Sequence, residues 1–239
     1  QGSLKEGLVA MWKNKAFRQL IFAYFFNYLG VTLSTLTVMF FIRGVTGEEE
    51  QGILYFVFYY VANLLGIPFW LWLSKTIGKH NAWKIGLLVF TFLQPCYFFL
   101  GEGDYYWMFP ITFIAGLAGS TFHLIPHAMK ADVIDYDTHL TGEDRAAQFF
   151  AAWSFITKMA IAIAPFFAFT YLDIIGFDST PGAINSPEQI LGLKILFCFG
   201  LPLFLLLTIL CIRNYPITQE KQEEIRREID LKKQQTQGA

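Results

Sequence analysis

The chain has 239 residues, of which 54% are hydrophobic, 18% aromatic and only 15% charged, and its formal net charge is −1. A soluble domain of this length could not cover so many apolar side chains, and several apolar runs exceed the roughly 18 residues that span a bilayer. The composition therefore excludes an ordinary soluble domain, and the balanced charge gives no sign of a nucleic-acid partner.

The first residues precede any membrane span. Gln1-Gly2-Ser3 is typical of a cut or engineered end, and the segment after it is short and basic. The first apolar run is too long for the core of a signal peptide, and no small-residue cleavage pattern follows it, so we interpret it as a membrane span. We assign residues 1–19 to a cytoplasmic amino-terminal segment.

Six apolar runs follow, separated by short polar segments. They predict transmembrane helices at residues 20–42, 53–73, 82–100, 107–129, 146–172 and 190–212. The second connection, 74–84, is a basic loop, and a charged loop follows the fourth span. The fold class is therefore an all-α membrane protein, with six transmembrane helices in a domain at 20–212. A charged tail, 213–239, is expected to be helical and cytoplasmic without forming a span.

Residues within the spans predict local packing. Pro68 predicts a kink in the second span, because proline removes a helical hydrogen bond. Gly116 and Gly119 in the fourth span predict a close approach to another helix. The three cysteines lie inside apolar runs without metal-ligand spacing and are expected to be reduced packing residues: Cys96, Cys198 and Cys211.

The distribution of basic residues predicts the orientation of the chain. Six spans place both ends on the same side of the membrane. Most of the 18 lysines and arginines lie in the amino-terminal segment, the second and fourth loops and the tail. The positive-inside rule therefore predicts that both termini are cytoplasmic.

Lys158 is the least expected residue, since it lies about 18 Å into the fifth span and cannot reach either surface easily. Ser154 lies four residues earlier on the same face, and Thr157 and Trp153 flank it. This stripe of donors with one aromatic ring suits a hydroxyl-rich ligand such as a sugar. The alternative is a structural lysine paired with a carboxylate, with Ser154 and Thr157 bonding back to their own helix. The six spans contain no acid at mid-depth, so that partner would have to come from another polypeptide.

His123 and His127 lie four residues apart on the fourth span. Such a pair favours interhelical hydrogen bonds over metal binding. His123 is also within reach of a central cavity, so we include it among the candidate substrate-binding residues. Asn27, Asn63 and Gln94 are expected to stabilise helix packing rather than to contact a ligand.

A cluster of charged residues follows the fourth span at the cytoplasmic interface. Two interpretations stay open: a cytoplasmic gate, in which the acids pair with Lys75, Lys79 or Arg145, and a solvated charge cluster. The candidate gate residues are Asp132, Asp135, Asp137 and Arg145. The chain has no nucleophile triad, phosphate loop or metal cluster, so we do not expect an enzyme.

Several segments resemble one transporter family. The sequence ADVIDYD at 131–137, followed by Thr141-Gly142-Glu143, Arg145 and FFAAWSFITK, is similar to the glycoside-pentoside-hexuronide:cation symporter family of the major facilitator superfamily. The sequence of the last span and the tail resembles the same family. The resemblance covers essentially the whole chain and implies that it matches the carboxy-terminal six helices of a twelve-helix transporter.

The resemblance also implies roles for individual residues. In the melibiose permeases of this family, Lys158 matches a lysine of the central cavity, and Trp153, Ser154 and His123 match positions near bound sugar. Those permeases have an amide at the position of Trp153 and a tryptophan at that of His123. Asp132, Asp135 and Arg145 match residues of the cytoplasmic gate. The carboxylates that bind the coupling cation belong to the amino-terminal half of the family's fold.

The expected function is cation-coupled symport of a sugar or glycoside by alternating access, with substrate bound between two six-helix halves in a bacterial inner membrane. The expected partners are the lipid bilayer, a small-molecule substrate, and the other half or a second copy of this chain. The coupling cation, sodium or proton, is expected to bind in the other half, with no cofactor or metal held here. The alternatives are a lysolipid-type symporter and a six-helix assembly module that does not transport.

Overall fold

A computed structural model describes residues 9, 11–48, 52–225, 227 and 228. The interpretation of Gln1–Ser3 as a cut end lies outside these residues. Where the structure describes the chain, it contains helices and no strand. The α-helices are α1 (Lys15–Phe41), α2 (Gly52–Ile77), α3 (Lys79–Leu93), α4 (Met108–Gly119), α5 (Thr121–Thr141), α6 (Ala146–Ile174) and α7 (Pro187–Cys211).

These helices form six candidate membrane spans. A π-helical turn extends α1 to Thr46, and 3₁₀ turns at Gln94–Phe99 and Tyr105–Trp107 extend α3 and precede α4. The resulting spans are Lys15–Thr46, Gly52–Ile77, Lys79–Phe99, Tyr105–Thr141, Ala146–Ile174 and Pro187–Cys211. The all-α, six-span prediction is confirmed, and the protein is an integral membrane protein.

Helix α1 lies at the centre of the packing. It contacts α7 along much of its length and also packs against α6 and α5. Helix α2 packs mainly on α4, whereas α3 bridges α5 and α7. This arrangement leaves large parts of α2 and α6 uncovered, with exposed apolar side chains such as Phe69, Trp72 and Phe155.

The basic loop predicted at 74–84 is wrong. Helix α2 continues to Ile77 and α3 begins at Lys79, so only Gly78 separates the two helices. Gly78 has φ 87° and ψ 147°, a conformation that is essentially restricted to glycine. The sequence analysis missed this reversal because polar residues at helix ends look like a loop.

The charged loop predicted after the fourth span is also wrong. Helix α5 continues through ADVIDYD to Thr141 and ends at Gly142, whose φ of 70° stops the helix. Asp132, Asp135 and Asp137 therefore lie on a rigid helical extension rather than on a loop.

The fourth span is not one continuous helix, as the sequence suggested, but is interrupted at Ser120. The break leaves the Leu117 carbonyl without its usual backbone donor. It accepts hydrogen bonds from the indole of Trp70 (2.7 Å) and from the hydroxyl of Ser120 (2.8 Å). Irregular backbone at membrane depth requires such replacement donors, since lipid offers none.

A second backbone carbonyl without its helical donor lies just over one turn further along the chain. Pro126 of α5 has no N–H, so the Phe122 carbonyl four residues before it loses its helical partner. The amide of Asn27 on α1 donates to that carbonyl at 3.1 Å, and Asn27 is fully buried. The expectation that Asn27 stabilises helix packing is confirmed.

Small residues allow α2 and α4 to approach closely, as predicted for Gly116 and Gly119. A Cβ on Gly116 would lie 2.5 Å from the Tyr59 carbonyl oxygen and 2.6 Å from the Ala62 Cβ. A Cβ on Gly66 of α2 would lie 2.4 Å from the Leu117 carbonyl oxygen. The two backbones are therefore nearly in contact, and this contact positions the polar face of α2 described next.

Candidate functional site

A small cavity, which we call the α1–α2 pocket, lies where α1, α2 and α5 meet. Its volume is about 100 Å³, and its walls combine aromatic rings with uncharged polar groups. None of the residues that line it is Asp, Glu, Lys or Arg. The polar and tyrosine side chains of the lining are Ser34, Thr35, Tyr55, Tyr59, Tyr60, Asn63 and His123.

The polar wall of α2 follows from helical spacing. Tyr55, Tyr59 and Asn63 are separated by four residues each and therefore share one face of the helix. Gly119 of α4 provides space behind them, because a Cβ there would lie 2.3 Å from the Tyr59 hydroxyl. The close α2–α4 contact thus holds these side chains toward the pocket.

His123 connects the α1–α2 pocket to a second group of rings, the aromatic cluster, formed by Tyr24, Tyr28, His123, His127 and Trp153. The ring centroids of Tyr28 and His123 are 5.4 Å apart, and those of Tyr24 and Tyr28 are 5.0 Å apart. Tyr24 stacks on Trp153 at 3.9 Å. A continuous aromatic surface therefore runs from His123 on α5 across α1 to Trp153 on α6.

The interpretation of the His123–His127 pair as interhelical hydrogen-bonding is wrong for His127. Its Nδ1 lies 2.7 Å from the carbonyl oxygen of His123 on the same helix. Between helices, the two imidazoles make ring contacts instead: His123 with Tyr28, and His127 with Tyr24 and Trp153. The ring of His123 is exposed and lines the α1–α2 pocket.

Trp153 lies at the centre of the α1–α5–α6 contact, with only 4% of the residue exposed. Its ring makes an interplanar angle of 29° with that of Tyr24, and its centroid lies 5.6 Å from that of His127, whose ring is inclined at 65°. The indole nitrogen is buried and has no hydrogen-bond partner among the described residues. The structure thus gives Trp153 a large packing role in addition to the substrate contact that the resemblance implies.

Lys130 of α5 belongs to the same contact. Only 7% of it is exposed, and its ammonium nitrogen lies 4.1 Å from the ring centroid of Phe150 and 5.0 Å from that of Trp153. Attraction between a cation and an aromatic face contributes about 0.5–2 kcal/mol, more when water is excluded. Lys130 therefore joins α5 to α6 through aromatic faces.

Ser154 and Lys158 are exposed on α6, and Thr157 is half-buried. The Thr157 hydroxyl donates to the Trp153 carbonyl oxygen at 2.9 Å, as the structural alternative expected. Among the described residues, the Lys158 ammonium has no hydrogen-bond or ion-pair partner. The structure thus presents Ser154 and Lys158 on an open face of α6, four residues apart.

The acids of α5 form specific ion pairs. The ammonium of Lys79 lies 2.6 Å from Asp132 Oδ2 and 2.7 Å from Oδ1, and Asp132 is 5% exposed. The amide of Gln222, in the tail, also donates to Asp132. This pair joins the start of α3, the middle of α5 and the tail.

A second pair closes the end of α5. Arg145 lies 3.4 Å from Asp137 and 2.9 Å from Glu143, and Asp137 is buried. Asp135 is half-buried, and no ion pair is found for it in the described part of the chain. Three of the four candidate gate residues therefore take part in ion pairs, Asp132 with Lys79 and Asp137 with Arg145, whereas Asp135 takes part in neither.

A family model described as MFS/sugar transport protein matches residues 1–219. The chain belongs to this family. The match confirms the resemblance that the ADVIDYD stretch carried, and the six helices are those of one half of a major facilitator fold. The family consists of transport proteins, in agreement with the expectation that the chain is not an enzyme.

Curated relatives match this chain over about half of their own length. The chain is 29% identical over 236 residues to the sodium-dependent lysophosphatidylcholine symporter 1 of Xenopus tropicalis, covering 96% of this chain and 44% of the relative. It is 27% identical over 245 residues to the glucuronide carrier protein homolog of Escherichia coli strain K12, covering 98% and 51%. It is 23% identical over 223 residues to the inner membrane symporter YicJ of the same strain, covering 90% and 47%. The chain therefore spans about half the length of the curated relatives it matches.

The α2 wall of the pocket was not predicted from the sequence. Asn63 was expected to stabilise helix packing, and Tyr55, Tyr59 and Tyr60 were not considered. The four-residue spacing of Tyr55, Tyr59 and Asn63 was a usable signal, because it puts hydroxyl and amide groups on one face of a membrane span. Lys130 was missed because it stands at the border between apolar and charged sequence, where an exposed cation is ordinary.

Proposed function

We propose that this chain is the carboxy-terminal half of a secondary active transporter that carries a sugar or glycoside with a coupling cation by alternating access. The α1–α2 pocket is the main support for this substrate class. Its hydroxyl, amide and imidazole groups can exchange hydrogen bonds with sugar hydroxyls, and its rings can cover the apolar face of a pyranose. A lining without charge suits a neutral substrate.

The residues inferred from sequence extend this site onto α6. His123 contributes from the shared edge of the pocket and the aromatic cluster. Ser154 and Lys158 offer donors on α6, and Trp153 gives them an aromatic support. Thr157 donates its hydroxyl proton to the Trp153 carbonyl and offers an acceptor oxygen. Lys158 binds substrate hydroxyls or pairs with a carboxylate of the other half, so that cation binding there can change its partner.

The other half of the transporter completes the site. It would supply the acids that bind sodium or a proton, as the resemblance to the cation symporter family implies. Both termini are proposed to be cytoplasmic, in agreement with the basic residues at the α2–α3 turn and in the tail. A bacterial inner membrane is the proposed location, since one relative is named an inner membrane symporter.

A lysolipid is the second candidate substrate. A relative named as a lysophosphatidylcholine symporter is 29% identical to this chain. The large exposed side chains of α2 and α6 could also cover an acyl chain. A third possibility, a six-helix assembly module, predicts binding to another membrane protein without uptake of any substrate.

The test is uptake by the full-length transporter in proteoliposomes with a sodium or proton gradient. A panel of mono- and disaccharides, glucuronides and lysophospholipids is compared for competition. We expect one class of glycoside to accumulate and lysophospholipid not to compete. Accumulation of lysophospholipid alone would favour the second candidate, and binding without any accumulation would favour the module.

Lys158→Ala tests the site within that protein. Lys158 is exposed and has no ion-pair partner among the described residues, so its loss leaves packing intact. We expect uptake to fall at least tenfold with unchanged membrane insertion. The matched variant is Lys75→Ala, a lysine at the far end of α2. Uptake equal to wild type in Lys158→Ala would refute the role of this residue.

A further inference from the structure

An apolar groove lies between the first turns of α1 and α6, away from the α1–α2 pocket. Its volume is about 480 Å³, in the range of small-molecule sites. Apart from Gln148, its lining is apolar or small: Met11, Trp12, Phe17, Ile21, Phe22, Ala151, Ala152, Phe155 and Ile156. Phe155 is 62% exposed and Trp12 53% exposed, so the groove opens to the outside of the helices.

Three cations lie at the end of this groove. Lys15, Arg18 and Phe22 are spaced i, i+3 and i+7, which places two basic residues above a groove-lining ring on one face of α1. Arg18 donates to the backbone oxygen of Trp12 at 3.1 Å, which fixes its guanidinium beside the groove wall. Lys13 directly follows Trp12 in the chain and is exposed.

These charges are not neutralised by the neighbouring acids of the described chain. No ion pair joins Lys13, Lys15 or Arg18 to a carboxylate among the described residues. Of the two acids just before α6, Glu143 pairs with Arg145. Asp144 accepts a hydrogen bond from the Ala146 backbone N–H and keeps its charge, so within the described chain one unpaired acid stands against three cations. The end of the groove therefore carries a local excess of positive charge.

We propose that the groove binds an anionic phospholipid of the surrounding leaflet. One acyl chain lies between α1 and α6, and the phosphate faces Lys13, Lys15 and Arg18. Helix starts lie at the membrane interface, where Trp12 is also a typical residue and where the headgroup of a lipid has to be. The combination of an open apolar groove and basic residues at its interfacial end matches the two parts of one lipid molecule. This site is independent of the transported substrate.

Native mass spectrometry of the purified full chain tests the proposal. Dioleoyl phosphatidylglycerol and dioleoyl phosphatidylcholine are added at equal concentration, so that the two lipids differ only in the headgroup. We expect at least fivefold more adduct with phosphatidylglycerol. In the triple variant Lys13→Gln, Lys15→Gln and Arg18→Gln, that preference is expected to disappear. Equal adducts for both lipids in the wild-type chain would refute the proposal.

The groove itself is tested by filling it. Ala152→Trp is expected to reduce phosphatidylglycerol adducts at least fivefold, whereas Ala162→Trp, an exposed alanine three turns further along α6, leaves them unchanged. Unaltered binding in Ala152→Trp would place the lipid elsewhere and contradict the proposal.

A second measurement does not depend on that variant folding. Because the chain has six tryptophans, Trp12 is measured as the difference between the wild-type chain and Trp12→Phe. Phosphatidylglycerol with brominated chains is expected to quench a larger fraction of the fluorescence in the wild-type chain than in the variant. A helix of another polypeptide could occupy the groove instead of lipid. In that case brominated lipid leaves Trp12 unquenched, and a cross-linker at position 152 reaches that polypeptide. This result would refute lipid binding.

Discussion

Trp153 shows how one residue can serve both packing and function. Its ring stacks on Tyr24, meets the edge of His127 and lies under the ammonium of Lys130. Three helices therefore meet at a single indole. A side chain in this position orients its neighbours on α6, including Ser154 and Lys158, whether or not it touches substrate.

Replacement of this indole tests its packing role. We expect Trp153→Ala to lower the free energy of unfolding by about 3–5 kcal/mol, the usual effect of truncating a buried aromatic residue. Phe155→Ala, two residues away and largely exposed, should change it by less than about 1 kcal/mol. Thermal or denaturant unfolding in detergent measures both, and equal stability of the two variants would show that Trp153 is not a packing centre.

At the scale of helices, two backbone carbonyls lose their helical donor, and a side chain of a neighbouring helix donates a hydrogen bond to each. Asn27 serves the carbonyl that Pro126 leaves free, and Trp70 serves the carbonyl at the α4–α5 break. Discontinuous helices are common around the binding sites of transporters, because they bring polar backbone to mid-membrane. Here the two breaks flank Phe122 and His123, which line the pocket.

The Asn27 contact can be tested by a double-mutant cycle. Asn27→Ala is expected to cost about 1–3 kcal/mol, since it leaves the Phe122 carbonyl unsatisfied. Pro126→Ala restores an N–H that can donate to the same carbonyl, so the double variant should be more stable than the sum of the single effects predicts. Strict additivity of the two changes in unfolding free energy would contradict the assigned hydrogen bond.

The α2–α4 contact makes a separate prediction about helix spacing. Gly116→Ala puts a methyl group against the backbone of Tyr59, so the helices have to separate, and we expect a loss of about 1–3 kcal/mol. Gly200→Ala is the matched control, because its nearest neighbour is a movable methyl group of Leu33. The measurement is the unfolding free energy of each variant, and a control as unstable as Gly116→Ala would show that backbone proximity is not the cause.

At the scale of the whole molecule, the tail joins the end of α2 and the start of α3 to the middle of α5. Gln222 contacts Asp132, and Gln219 donates to the Lys75 carbonyl oxygen at 2.8 Å. Tyr215 and Ile217, at the start of the tail, are buried. Burial raises the pKa of the Tyr215 phenol well above its ordinary value, so the phenol stays neutral. The Asp132–Lys79 pair is therefore part of a joint between the tail and the helices.

Among the candidate gate residues, this joint gives Asp132 a contact with the tail that Asp135 lacks. Asp132→Asn removes the partner of Lys79 and weakens the hold on the tail, so a cysteine placed at Ile217 should react several-fold faster with a soluble maleimide. The three native cysteines, which form no disulfide, are first replaced so that only the introduced cysteine reacts. Asp135→Asn is the matched variant and is expected to leave the rate unchanged, because Asp135 lies outside both ion pairs. An equal increase in both variants would contradict the special role of Asp132.

Much of the fold and part of the site followed from the sequence. Apolar run length and helical spacing are local properties, so they were enough for the six spans and for the Ser154–Lys158 stripe. The continuation of α5 through ADVIDYD was not predicted, because charged residues resemble a loop unless their partners are known. Lys79, Arg145 and Gln222 supply those partners from other parts of the chain.

The sequence by itself therefore determined that this protein is a six-span helical membrane domain and which family it resembles, because burial in lipid imposes length and composition directly on the chain. Only the tertiary structure decided that Tyr55, Tyr59 and Asn63 meet His123 in one pocket, that Trp153 joins three helices, and that Asp132 rather than Asp135 holds the tail. These relations depend on the close contact of α2 with α4 and of α1 with α6. Contacts between helices are set by the shapes of both partners, and no single helix carries that information.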